Sequence, residues 1–135
     1  MPLDQTNWPH TIPLDEATML LIRARTFIQR GWCRDAIARD ADGNQLGDAR
    51  SDDAVAWCSV GALEATGVEC SDPSYIPAIR RLEVAMRTEC IARFNDNQIT
   101  VDPVLAAFDR AIAAGDPTIA RIGSNDARKG QWVRL

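Results

Sequence analysis

Residues 15–31 read Asp-Glu-Ala-Thr-Met-Leu-Leu-Ile-Arg-Ala-Arg-Thr-Phe-Ile-Gln-Arg-Gly, and this stretch decides the fold class. Ala17, Leu20, Leu21, Ala24, Phe27 and Ile28 recur at spacings of three and four, which puts them on one helical face. Asp15 is suited to cap the first turn, Glu16 to the positive end of the helix dipole, and Gly31 to close the last turn. A helix with one apolar face must bury it, so its partners lie further along the chain.

Three more segments offer such faces. A second helix is expected from Asp53 to about Thr66, where Ala54, Val55, Ala56, Trp57, Cys58, Val60, Ala62 and Leu63 are apolar nearly all round, the mark of a central helix. Gly61 within it costs about 1 kcal/mol of helix propensity against Ala, so a close backbone contact is expected there. A third helix begins after Asp72-Pro73 or Ser74 and carries the stripe Ile79, Leu82, Met86, Cys90 and Phe94, ending at Asn95-Asp96-Asn97. A fourth starts with Asp102 as cap and Pro103 at its first position, buries Leu105, Phe108 and Ile112, and stops at Gly115 and Pro117.

Between the first two helices, Arg39-Asp40-Ala41-Asp42-Gly43-Asn44 has the chemistry of a tight reversal. Asp40 opens the turn and Gly43 accepts a positive φ, with Ala36, Ile37 and Ala38 on one arm and Gln45 and Leu46 on the other. The expected fold is mainly α, a four-helix domain with a short β-hairpin or tight turn between helices 1 and 2. The chain divides into an extended arm over residues 1–14, a helical domain over 15–115 and an irregular tail over 116–135.

Composition narrows the function classes. The 135 residues carry 15 Lys and Arg against 19 Asp and Glu, a net charge of −4, with both signs scattered. No basic stripe exists to neutralise phosphates, so a nucleic-acid partner is not expected. The nearly apolar run from Ala54 to Leu63 is half the ~20 residues a membrane span needs, and residues 1–13 lack the pattern of a secretory signal. The chain therefore reads as cytoplasmic, with its 4 cysteines (Cys33, Cys58, Cys70, Cys90) as thiols.

The segments Arg30-Gly31-Trp32-Cys33, Ala36 to Gly43 and Ala54 to Leu63 resemble a small uncharacterised bacterial and phage domain family. Phe94-Asn95-Asp96 and Val104 to Ile112 fit the same pattern, although a Trp more often stands in the family where this chain has Phe94. The resemblance covers roughly residues 15 to 114 and implies a domain boundary but no activity.

The paired dipeptides Trp32-Cys33 and Trp57-Cys58 are the most distinctive feature. One reading is a nucleophilic or redox cysteine, Cys33 or Cys58, activated by Arg39 or Arg34. A low-pKa thiolate needs a cation, a helix start or a histidine base, and the one histidine is His10 in the arm. The other reading packs both tryptophans and both thiols as core where hairpin meets bundle. Asp40 and its neighbours fit no calcium-loop register: with Gly43 at the glycine position, Ala38 and Ala49 occupy two ligand positions. Asn95 and Asp96 read either as polar site residues on a loop or as helix-capping residues, and Arg39 as tied to a carboxylate such as Asp96. Trp8 and Trp132 are candidate anchors for a partner.

No catalytic set, metal site or cofactor motif follows from these residues. The expected function is a small non-enzymatic protein-binding or regulatory domain, with protein as partner and a homodimer as one form of it. The alternative is a small enzyme or thiol-redox protein using Cys33 or Cys58.

Overall fold

Asp15 begins the first helix as its capping residue: its Oδ1 accepts the Thr18 N–H at 2.7 Å. The computed structural model of the chain describes residues 15–115. Helix α1 spans Glu16–Arg30 and buries Ala17, Thr18, Leu20, Leu21, Ala24 and Ile28, the face its spacing predicts. Each buried Leu or Ile on that face contributes about 1.5–3 kcal/mol of transfer free energy. Gly31 follows as expected, but its backbone is extended and available to any residue. Glycine is required there because a Cβ would overlap the Val55 carbonyl.

Three two-residue strands come next: β1 (Ala38–Arg39), β2 (Gln45–Leu46) and β3 (Ala56–Trp57). They form one sheet in the order β2-β1-β3, with β1 antiparallel to both neighbours. The expected hairpin is β1–β2, Ala38 opposite Leu46 and Arg39 opposite Gln45. Its turn forms as its residues predict, with Gly43 at φ 87°.

The second helix is shorter than its apolar run suggested. Helix α2 is only Ser59–Ala65, because Ala56 and Trp57 are extended and paired with β1, Trp57 also bridging Trp32 on its other side. A short apolar run serves a buried strand as well as a buried helix, and the unpaired edge of β1 decides between them here. Cys58, expected inside the helix, is instead its capping residue with φ −80° and ψ 176°. The close approach at Gly61 is as expected: a Cβ there would overlap the Ile37 carbonyl.

The third helix also divides. Helix α3 runs Tyr75–Met86 and ends at Arg87, which takes a left-handed conformation (φ 56°, ψ 47°). The Thr88 hydroxyl then accepts the Cys90 N–H at 3.0 Å, a local bond that competes with continuing the helix. Helix α4 (Ile91–Asp96) starts after this break and takes Asn95 into its last turn. Helix α5 covers Asp102–Ala114, with Val101 as the capping residue and Asp102 one position inside, so the expected Asp102 cap is displaced by one. It buries Val104, Ala107, Phe108 and Ala111, while Leu105 and Ile112 are half-buried against the core.

The domain is thus mainly α with a small three-stranded sheet, five helices among the described residues instead of four. Helix α1, not α2, is central: it packs against α2, α3, α5 and β3. Phe27 on α1 meets Trp57 on β3 edge-on, ring centroids 4.9 Å apart, and Arg30 lies over both rings. That contact fastens the sheet to the bundle and sets the position of everything around residues 31–35.

Candidate functional site

The two Trp-Cys dipeptides are joined by backbone bonds. Trp57 N–H donates to Gly31 O at 3.0 Å and Cys33 N–H donates to Trp57 O at 3.2 Å. This is parallel pairing, with Trp32 opposite Trp57. One residue further along both segments come Cys33 and Cys58, near enough that Cys58 raises the Cys33 pKa. On the other edge of β3, Val55 N–H donates to Arg39 O at 2.9 Å and Cys58 N–H to Ile37 O at 3.1 Å.

Helix α4 closes this junction with Asn95, which is fully buried. Its Oδ1 accepts from Trp32 Nε1 at 2.8 Å, from Ser59 N at 3.1 Å and from Ser59 Oγ at 2.8 Å. Its Nδ2 donates to Cys33 O at 3.0 Å and to Asp96 Oδ1 at 3.1 Å. An amide has two donors and two acceptor lone pairs, and all are used. Asn95 is therefore neither an exposed loop residue nor a helix cap. It is a polar knot joining α4, α2 and the Gly31–Cys33 segment.

Asp96 extends the knot. Its Oδ1 also accepts the Asp35 N–H at 2.9 Å, which holds Asp35 in a left-handed bend at φ 63°. The expected tie from Arg39 to Asp96 does not form. Arg39 curls over its own hairpin, donating to Gly43 O at 2.8 Å and Arg34 O at 3.0 Å. Arg34 itself donates to Gln98 O at 2.8 Å.

Both thiols are buried and held protonated. Burial raises the Cys33 pKa most, the neighbouring Cys58 and Asp96 add to it, and Arg39 offsets part, leaving it at about 11. Burial likewise raises Cys58, partly countered by the Gly61 and Val60 N–H groups and reinforced by Asp96 and Glu64. The Cys58 Sγ accepts the Gly61 N–H at 3.3 Å, and the Cys33 Sγ donates to Ala36 O at 3.6 Å. Cys58, Asp35, Asp96, Ile37, Val60 and Ala92 line an open groove of about 270 Å³.

Asp40 is consumed by its turn. Its Oδ1 accepts from Asp42 N at 3.0 Å and Asn44 N at 2.8 Å, its Oδ2 from Asn44 Nδ2 at 3.2 Å. Hydrogen bonding from the Asn44 backbone is the largest influence lowering its pKa. Among the described residues, no group of three or more His, Cys, Asp or Glu side chains is placed to hold a metal ion. Trp57 is core, its indole N–H donating to Ala49 O at 2.9 Å. Trp8 and Trp132 lie outside the described residues.

Sequence reasoning missed Ser59 and Asp35. Ser59 is the single hydroxyl inside the apolar run from Ala54 to Leu63, and a buried hydroxyl demands a partner. That demand was the available signal. Nothing in the local sequence announces the bend at Asp35, which depends on Asp96 far along the chain.

The chain is a small helical domain in which two tryptophans, two buried thiols and a buried asparagine meet at one junction. The chain belongs to a family of unknown function, DUF6197, whose family model matches residues 13–114. No curated protein and no solved structure matches the chain. Among the described residues, no helix is long and apolar enough to cross a membrane.

Proposed function

We propose that this domain is a non-enzymatic protein-binding or regulatory module. One observation carries the reading: every hydrogen-bonding position of Asn95, the centre of the signature residues, is occupied within the protein. The residues that look like reaction equipment are spent on the fold. Two thiols with raised pKa values supply little thiolate at neutral pH, so a catalytic turnover that relies on a nucleophilic Cys33 or Cys58 is disfavoured. Recognition then falls to the outer surface and to a protein partner, with a homodimer as one form. A cytoplasmic setting suits the four free thiols, and a bacterial or phage source remains the reading from the sequence resemblance.

The thiol-redox alternative draws support from one feature, the nearness of Cys33 to Cys58 just beyond the Trp32–Trp57 bridge. Capture from native lysate with wild-type chain and with a C33A/C58S double variant separates the two. The binding reading expects the same partner at the same stoichiometry from both, with the variant's fold checked by circular dichroism. Loss of the partner from a folded variant contradicts it. Light scattering before and after removal of residues 1–13 tests the dimer, which a monomer in both samples removes.

A further inference from the structure

The pairing of Gly31–Cys33 with β3 has a chemical consequence. Adjacent strands lie about 4.8 Å apart, and in-register parallel neighbours project their side chains to the same face. A disulfide bridges Cα atoms roughly 4.4–6.8 Å apart. Cys33 and Cys58 are the next residues beyond the Trp32–Trp57 bridge, so continuing its register would bring them within both conditions, and Cys58 is close enough to raise the Cys33 pKa. Both are free thiols. Cys58 and Ala36, whose carbonyl accepts from Cys33 Sγ, also line the 270 Å³ groove, so a small reagent entering it meets Cys58 first.

We infer that Cys33 and Cys58 form a thiol-oxidation site, closing to an intramolecular disulfide by exchange with a small-molecule disulfide that enters the groove. The inference stands apart from the partner-binding reading. The Cys58 thiolate attacks one sulfur of the reagent. The reagent's S–S bond breaks, its electron pair leaves on the second sulfur, and that sulfur takes up the proton Cys58 lost. Cys33, deprotonated in turn, attacks the Cys58 sulfur of the mixed disulfide, and the second reagent thiolate departs and is protonated. Two protein thiols are oxidised by two electrons, and one reagent disulfide becomes two thiols. The bond fixes the Gly31–Cys33 segment to the start of α2 and removes the Cys33 donor from Ala36 O. Burial keeps the thiolate fraction small, so the exchange is slow at neutral pH and accelerates as pH rises.

The test exposes the full chain to bis(2-hydroxyethyl) disulfide across a pH series, quenches with acid, alkylates, and maps peptides without reduction. The expected product from the folded chain is a linked Cys33–Cys58 peptide, formed faster at higher pH. The C33S variant should instead accumulate the mixed disulfide on Cys58; if it does not fold, the wild-type map alone decides. The inference is overturned if Cys33 and Cys58 stay reduced while exposed Cys70 is modified. It is equally overturned if Cys58 stops at the mixed disulfide in the wild type, or if links to Cys70 or Cys90 form as readily.

Discussion

Trp32 donates its indole N–H to Asn95 Oδ1 at 2.8 Å, a bond between residues 63 positions apart in the chain. It ties the segment leaving α1 to a helix formed much later, and Ser59 on α2 shares the same oxygen. Replacing Asn95 by Leu keeps the volume and leaves the Trp32 N–H, the Ser59 N–H and hydroxyl, and the Cys33 carbonyl without this partner. Each stranded buried group costs about 1–3 kcal/mol, so with four of them N95L should lose about 4 kcal/mol or more in urea unfolding. A loss below ~1 kcal/mol means the knot is not structural.

The legibility of this arrangement differs sharply by element. Helix α1 and the Asp40–Asn44 turn are local: their caps, periodicity and turn residues are chain neighbours, and they form as read. The run from Ala54 to Leu63 reads as one helix because its division into strand and helix depends on β1 and Gly31, not on its own pattern. Asn95 reads as a cap for the same reason. A helix-ending asparagine and a buried hub look alike until Trp32 and Ser59 are brought beside it.

Gly61→Ala should destabilise the domain, although the same change on an exposed helix gains about 1 kcal/mol. The added methyl meets the Ile37 carbonyl, a backbone atom fixed by its bond from Cys58 N–H. Overpacking of this kind costs about 1–3 kcal/mol, and thermal unfolding reads the sign directly. An unchanged or higher Tm contradicts the close packing of α2 on the strand entering β1.

Asp15 makes α1 sensitive to acid. Burial pushes its pKa up, but the Thr18 backbone and side chain and the Arg81 guanidinium outweigh it, so the folded pKa lies below the usual 3.8. A depressed carboxylate pKa gives stability that is present above the unfolded pKa and lost as pH falls through the folded one. D15N should therefore be less stable than wild type at neutral pH, by no more than about 1 kcal/mol for so exposed a pair. The difference should vanish when both are compared below the folded pKa of Asp15. A gap that persists there assigns the effect to something other than its charge.

The raised thiol pKa values predict an order of reactivity. Iodoacetamide at neutral pH should label exposed Cys70 in the folded chain well before Cys33 or Cys58. Cys33 labelling should climb with pH towards about 11 as the thiolate forms. Rapid labelling of Cys33 or Cys58 at neutral pH, read by peptide mass mapping, contradicts the burial that raises their pKa values.

The central claim is that the signature residues act as one interlocked unit of the fold, and a double-mutant cycle between Trp32 and Asn95 tests it most directly. Unfolding free energies of wild type, W32F, N95L and the double variant yield the coupling. The account predicts that the second change costs less once the first is made, a coupling of about 0.5–3 kcal/mol. Costs that add to within roughly 0.3–0.5 kcal/mol, as for two unconnected positions, would contradict it.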